Sequence, residues 1–215
     1  YDVKAGNTGD PKETQVCIFC HTPHNADSSE VPLWGHKDNV DTGFTMASSY
    51  YIKPPSTGDD RPTGISKKCL SCHDGTVAIG ALAGQTITMT GSGIDAAGLL
   101  RDVAKGYIGK DLRRGHVIDF NYDVVFTNSS TPTKLVPWAN ISTSNKKSMF
   151  DRQGKMQCHS CHDPHTAWCD DPSKTVGPDP LWRKKCDGSG KNSSVCKVCH
   201  KITFSGYTQA FPYGP

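Results

Sequence analysis

Apolar residues along this 215-residue chain come in short, broken runs, and periodicity is weak. Short helices are expected around the cysteine clusters at 17–21, 69–73, 158–162 and 196–200, with Ser66 and Ser194 as caps. Residues 95–105 read as a further helix, weakened by Gly98. Residues 85–90 and 123–127 alternate as short strands. Residues 54–55, 57–60 and 177–180 are rich in Pro, Gly and Asp and read as loops. The longest apolar run, 77–84, is interrupted by Gly80 and Gly84. Nothing approaches the ~18 apolar residues of a membrane span. The pattern predicts mostly coil with short α-helices and a few short strands.

Composition sharpens this. Only 35% of the chain is hydrophobic and 8% aromatic, below the roughly 45–50% apolar content of ordinary domains. Charge does not compensate, because 24 basic against 21 acidic residues leave a net charge of +3. A disordered chain would carry a larger net charge and no cysteine pattern. The core is therefore expected to come from something other than side chains. The basic residues are scattered, so no nucleic-acid partner is expected. With Tyr1 first, no apolar leader and no polybasic arm, the sequence reads as a processed mature form.

Eight of the ten cysteines fall into four identical frames. They are Cys17-Ile-Phe-Cys20-His21, Cys69-Leu-Ser-Cys72-His73, Cys158-His-Ser-Cys161-His162 and Cys196-Lys-Val-Cys199-His200. Cys-x-x-Cys-His is the attachment frame of c-type haem. Two thiols three positions apart add across the two vinyl groups of one porphyrin, and the next residue supplies an imidazole to its iron. A zinc ribbon pairs two Cys-x-x-Cys units at a separation of ~15–20 residues. The gaps here are longer, and zinc gives no reason for His after every second Cys. Four covalent haems would fill the interior and tie down a loop-rich chain. About eight propionates and four ferric charges would also bring the net charge to about −1.

Nine histidines are available. His21, His73, His162 and His200 are the proximal ligands within the frames. His159 lies between the two cysteines of its own frame and points poorly for ligation. His24, His36, His116 and His165 remain, one distal imidazole per haem. Met46, Met89, Met149 and Met156 are read as packing residues. Three peptide units span at most roughly 11 Å. Two trans imidazoles on one iron need their Cα atoms roughly 12–13 Å apart. His24 therefore cannot serve the haem of His21, nor His165 that of His162. Each Cys-x-x-Cys-His-x-Pro-His segment is expected to clamp two neighbouring haems, with Pro23 and Pro164 holding the backbone extended.

The chain carries a faint duplication. CIFCHTPH at 17–24 matches CHSCHDPH at 158–165. Each is followed by Pro-Leu-Trp, at 32–34 and 180–182, and then by a plain frame. This suggests a first dihaem unit over 1–84, an insertion with a distal His over 85–150 and a second dihaem unit with a tail over 151–215, within one compact domain. His36 corresponds to Lys184 in the second unit, and His116 is the candidate replacement. Cys169 and Cys186 lie outside the frames. A disulfide between them would close a small loop and contribute roughly 3 kcal/mol in the loop-entropy account.

CIFCHTPHN at 17–25, PLWGH at 32–36, CLSCHDGTV at 69–77 and CHSCHDPH at 158–165 resemble segments of the multihaem c-type cytochromes of metal-respiring microbes. GHVIDFNY at 115–122 resembles that family's distal-His motif, with Val117 where Pro is usual. The chain is most similar to the extracellular tetrahaem, filament-forming (OmcE-type) cytochromes. The resemblance implies haem c as cofactor and electron transfer rather than catalysis. It also implies a helical polymer of identical subunits with one distal His crossing between them. The expected location is extracellular, and the partners are further copies, redox cytochromes or external acceptors. His24 and His36 are the candidates for the crossing ligand. A soluble periplasmic shuttle would share every motif. An oxyanion reductase would need an open haem, often with Lys in place of the frame histidine, and no frame here has that change.

Overall fold

The computed structural model describes residues 4–5, 16–26, 31–38, 43–47, 62–123, 135–165, 183 and 193–201. Among them regular structure is sparse. Helix α1 spans Gly64–His73, α2 Thr143–Met149 and α3 Ser193–Cys199. Single 3-10 turns occupy Val16–Phe19, Leu112–Arg114, Trp138–Asn140 and Cys158–Ser160. Six two-residue strands form three antiparallel ladders: β1 (Lys4–Ala5) with β4 (Met89–Thr90), β2 (Ala81–Leu82) with β3 (Gln85–Thr86), and β5 (Phe120–Asn121) with β6 (Lys155–Met156). Residues 85–150 thus pair with segments on both sides of them in sequence. No helix among the described residues is long and apolar enough to cross a membrane.

Helix α1 is set by its two ends. Thr63 is its N-cap residue and makes no side-chain cap. Its N–H instead donates to Asp119 Oδ2 at 2.7 Å. At the other end Asp74 N–H reaches Leu70 O at 3.0 Å, and Gly75 follows with φ 76°. A left-handed residue after the C-cap stops a helix, and glycine does so without a Cβ penalty. Space forbids a side chain there as well, because a Cβ at Gly75 would lie 2.6 Å from Leu100 O and from the Tyr107 ring. The expected cap Ser66 sits inside the helix, fully buried, and its hydroxyl accepts from Cys158 N–H at 3.0 Å. Ser194 likewise lies within α3.

Two other expected elements take different forms. Residues 95–105 do not make a helix. Asp95 Oδ1 accepts the N–H groups of Ala97 and Leu99 at 3.0 and 2.9 Å, and Gly98 has φ 80°. A short carboxylate that bonds nearby N–H groups offers the chain a turn in place of a helix. Residues 85–90 split into β3 and β4 with different partners. Ile87 between them donates to Gly80 O at 2.8 Å, and a Cβ on Gly80 would overlap Ile87 O at 1.7 Å. That close approach draws Ile87 out of either ladder. The expected strand at 123–127, the three loops, the 180–182 repeat and the Cys169–Cys186 pair lie outside the described residues, save Asp123 at the strand's start.

Side-chain cores are small. One gathers Tyr122, Ile141, Met149, Phe150, Met156, Val195 and Cys199 around α2, α3 and β6. Another joins Phe44, Leu70 and Leu112, with Met46 and Ile118 against it. Tyr122 stitches the first, its hydroxyl donating to Val136 O at 2.8 Å and Cys199 O at 3.1 Å. Met89 is also buried, so all four methionines lie in packing positions.

Candidate haem-binding centre

The four frames share one local geometry. His21 N–H returns to Cys17 O at 2.8 Å, His162 N–H to Cys158 O at 3.1 Å and His200 N–H to Cys196 O at 2.8 Å; the remaining frame, Cys69 to His73, lies in α1. Each is one helical turn, so residues i, i+3 and i+4 project from the same side. That brings two thiols and one imidazole to a single face. The Cys158 turn has the best-defined start, a capping box in which the Gln157 side chain and Ser160 hydroxyl serve each other's backbone N–H.

Two frame histidines face histidines from distant parts of the chain. The His21 and His165 rings have centroids 6.1 Å apart and planes 20° from parallel. Those of His116 and His200 are 6.2 Å apart and 75° apart. Two imidazoles on opposite sides of one metal, each about 2 Å from it, have ring centres roughly 6 Å apart. The spacing fits one iron between each pair. His165 meets the proximal histidine of the first frame, not His162 beside it in sequence. His116 meets the second unit's last frame.

Second contacts fix the tautomers. His21 Nδ1 lies 2.8 Å from Pro32 O, His73 Nδ1 2.6 Å from Gly106 O and His116 Nδ1 2.8 Å from Val117 O. A ring that donates Nδ1–H to a carbonyl keeps its Nε2 lone pair for a metal. His165 differs, because its Nδ1 faces Asp163 Oδ1 at 3.4 Å, and Asp163 is paired with Arg183 at 3.2 Å. This carboxylate was not singled out from sequence. Its one signal is that Asp163 stands where the first unit has Thr22.

The remaining candidates are placed differently. His24 is exposed. His36 is buried, with Nδ1 2.8 Å from Lys37 O and Nε2 3.1 Å from Ala78 O and 3.4 Å from Cys72 Sγ. Neither forms a ring pair with a proximal histidine among the described residues. Burial lowers the pKa of His36, as it does for His200, where His116 adds to the effect. His159 is lowered by burial and then by Arg183, and its Nδ1 is buried with no hydrogen-bond partner among the described residues.

The eight frame cysteines are free thiols. Burial, then the nearby Cys20, pushes Cys72 up to about 12. Burial, then Cys196, pushes Cys161 up to about 12, and Cys199 rises to about 11. Cys69 and Cys158 lie in hydrogen-bond contact, which raises the former and lowers the latter. At Cys72, Cys161 and Cys199 burial disfavours the thiolates that zinc requires and suits neutral thioethers. Among the described residues no three His, Cys, Asp or Glu side chains gather as a bare metal ion would need. The Trp34 indole N–H, beside the first frame, is buried without an acceptor among the described residues, and the polar edge of a larger group would satisfy it. The residues present thus fit a covalently attached porphyrin better than a bare ion. No family model and no curated protein matches the chain.

Proposed function

We propose that this chain is a tetrahaem c-type cytochrome that carries electrons through bis-histidine haems, as the subunit of an extracellular filament. The observation that carries the reading is the two long-range imidazole pairs at 6.1 and 6.2 Å, each with one frame histidine, in a chain with four Cys-x-x-Cys-His turns. Cys17 and Cys20, Cys69 and Cys72, Cys158 and Cys161, and Cys196 and Cys199 would each anchor one ring. His21 with His165, and His200 with His116, would hold the two faces of their irons. His73 and His162 would serve the other two, with His24 and His36 as their partners. When bound, haem c supplies a one-electron couple. The chain's own part would be to supply these thiols and imidazoles and to keep neighbouring frames in contact, as Cys69 and Cys158 are.

Closed coordination favours electron transfer over catalysis. The exposed His24 ring supports assembly, because it is free to reach a second copy. Two measurements test the reading. The oxidised protein is expected to be wholly low-spin, with no carbon monoxide binding after reduction; a high-spin haem would favour the reductase alternative. Negative-stain electron microscopy of native protein is expected to show long uniform filaments that His24→Ala shortens or abolishes. Discrete particles would leave a soluble periplasmic shuttle with the same haem chemistry.

A further inference from the structure

Three segments bearing the proposed haem ligands converge on one buried carboxylate. Asp119 lies three residues after His116, has φ 59°, and its side chain is 2% exposed. Oδ2 accepts Thr63 N–H at 2.7 Å, at the start of the helix that carries Cys69, Cys72 and His73. Oδ1 accepts from Thr63 Oγ1 at 2.6 Å, Lys155 Nζ at 3.0 Å and Gln157 Nε2 at 3.2 Å. Gln157 precedes Cys158 and caps its turn, and its Oε1 takes Ser66 N–H at 3.3 Å. The main chain adds Asp119 N–H to Met156 O at 2.6 Å.

A buried carboxylate is costly unless fully hydrogen-bonded, and apolar packing could join the same elements at no such cost. What the carboxylate adds is direction. Both oxygens are satisfied in one arrangement only, which fixes residue 119 in the left-handed region that Asp tolerates. His116 has a weaker hold of its own. It is exposed, its Nδ1 meets the adjacent Val117 carbonyl, and upstream Gly115 N–H reaches Leu112 O at 3.1 Å.

We propose that Asp119 is the positioning residue for the His116–His200 ligand pair, locking the segment that carries His116 to helix α1 and the Cys158 turn. The inference rests on the haem reading above. Asp119→Asn keeps the shape but turns an amide N–H₂ towards donors from Thr63, Lys155 or Gln157, so the lock opens. In the full haem-loaded protein, Asp119→Asn is expected to convert about one haem in four to high-spin and to bind about one equivalent of carbon monoxide on reduction. His116→Ala should give the same signature. Thr63→Val, which deletes the hydroxyl's bonds to Asp119 Oδ1 and Lys155 Nζ but keeps the Thr63 N–H bond to Oδ2, should give a smaller high-spin fraction and remains readable if Asp119→Asn does not assemble. Four low-spin haems and no carbon monoxide binding in Thr63→Val and in any assembled Asp119→Asn protein would overturn the proposal. A high-spin haem already present in the unsubstituted protein would instead overturn the haem-ligand reading itself.

Discussion

At the scale of single residues, what distinguishes one imidazole from another is the group behind it. His21, His73 and His116 lean on backbone carbonyls, whereas His165 leans on Asp163, itself paired with Arg183. A carboxylate behind a ligating imidazole makes it a stronger donor and favours the oxidised metal. If the proposed haem lies between His21 and His165, Asp163→Asn should therefore raise its midpoint by up to about 60 mV, the equivalent of tenfold for one electron. Spectroelectrochemical titration checks this, and an unchanged set of four midpoints would remove Asp163 from the ligand's support. The thiols behave in the same local way. Burial raises Cys72, Cys161 and Cys199, whereas contact with Cys69 lowers Cys158.

At the scale of elements, helix α1 depends on both of its ends. Its start is capped by a carboxylate 56 residues away in sequence. Its end requires a residue without Cβ at 75, where φ is 76° and Leu100 O and the Tyr107 ring close the space. Gly75→Ala is expected to cost about 1–3 kcal/mol through the left-handed conformation alone, with the steric overlap adding to it. Because His73 lies two residues earlier and holds Gly106 O through Nδ1, the same change should loosen the His73 ring, the ligand proposed for the second haem. Urea unfolding of the haem-loaded variant measures the first effect. A midpoint unchanged from the parent would mean that residue 75 is not under the constraint described.

At the scale of the whole molecule, the described hydrophobic clusters are few and regular structure is short. A chain that is 35% hydrophobic buries too little of its own apolar surface to offset the loss of chain entropy easily. Covalent porphyrins would supply both the missing apolar surface and eight points of attachment. Protein made without haem attachment should therefore show no cooperative unfolding transition and little protection of backbone amides. A sharp thermal transition in that material would show that the side-chain clusters suffice by themselves.

The sequence by itself determined the local chemistry. Cys-x-x-Cys-His is a contiguous pattern, and one helical turn is enough to bring its three side chains to a common face, so the frames were legible without a fold. The shortness of the elements was legible too, because apolar periodicity never runs far. The reach of a three-residue segment also argued against His165 sharing an iron with His162, since bond lengths set that limit. Which imidazole His165 meets was not legible. Its partner His21 is 144 residues earlier by numbering, and only tertiary packing decides such pairings. The same holds for Asp119, whose donors come from residues 63, 155 and 157, and for Ser66, which looked like a cap but is buried against Cys158. Residues 95–105 misled for the opposite reason, a local Asp95 turn outcompeting a weak helical pattern. Sequence carries what neighbours in the chain can do. Long-range contacts between polar groups depend on closing loops, and that geometry exists only once the chain is folded.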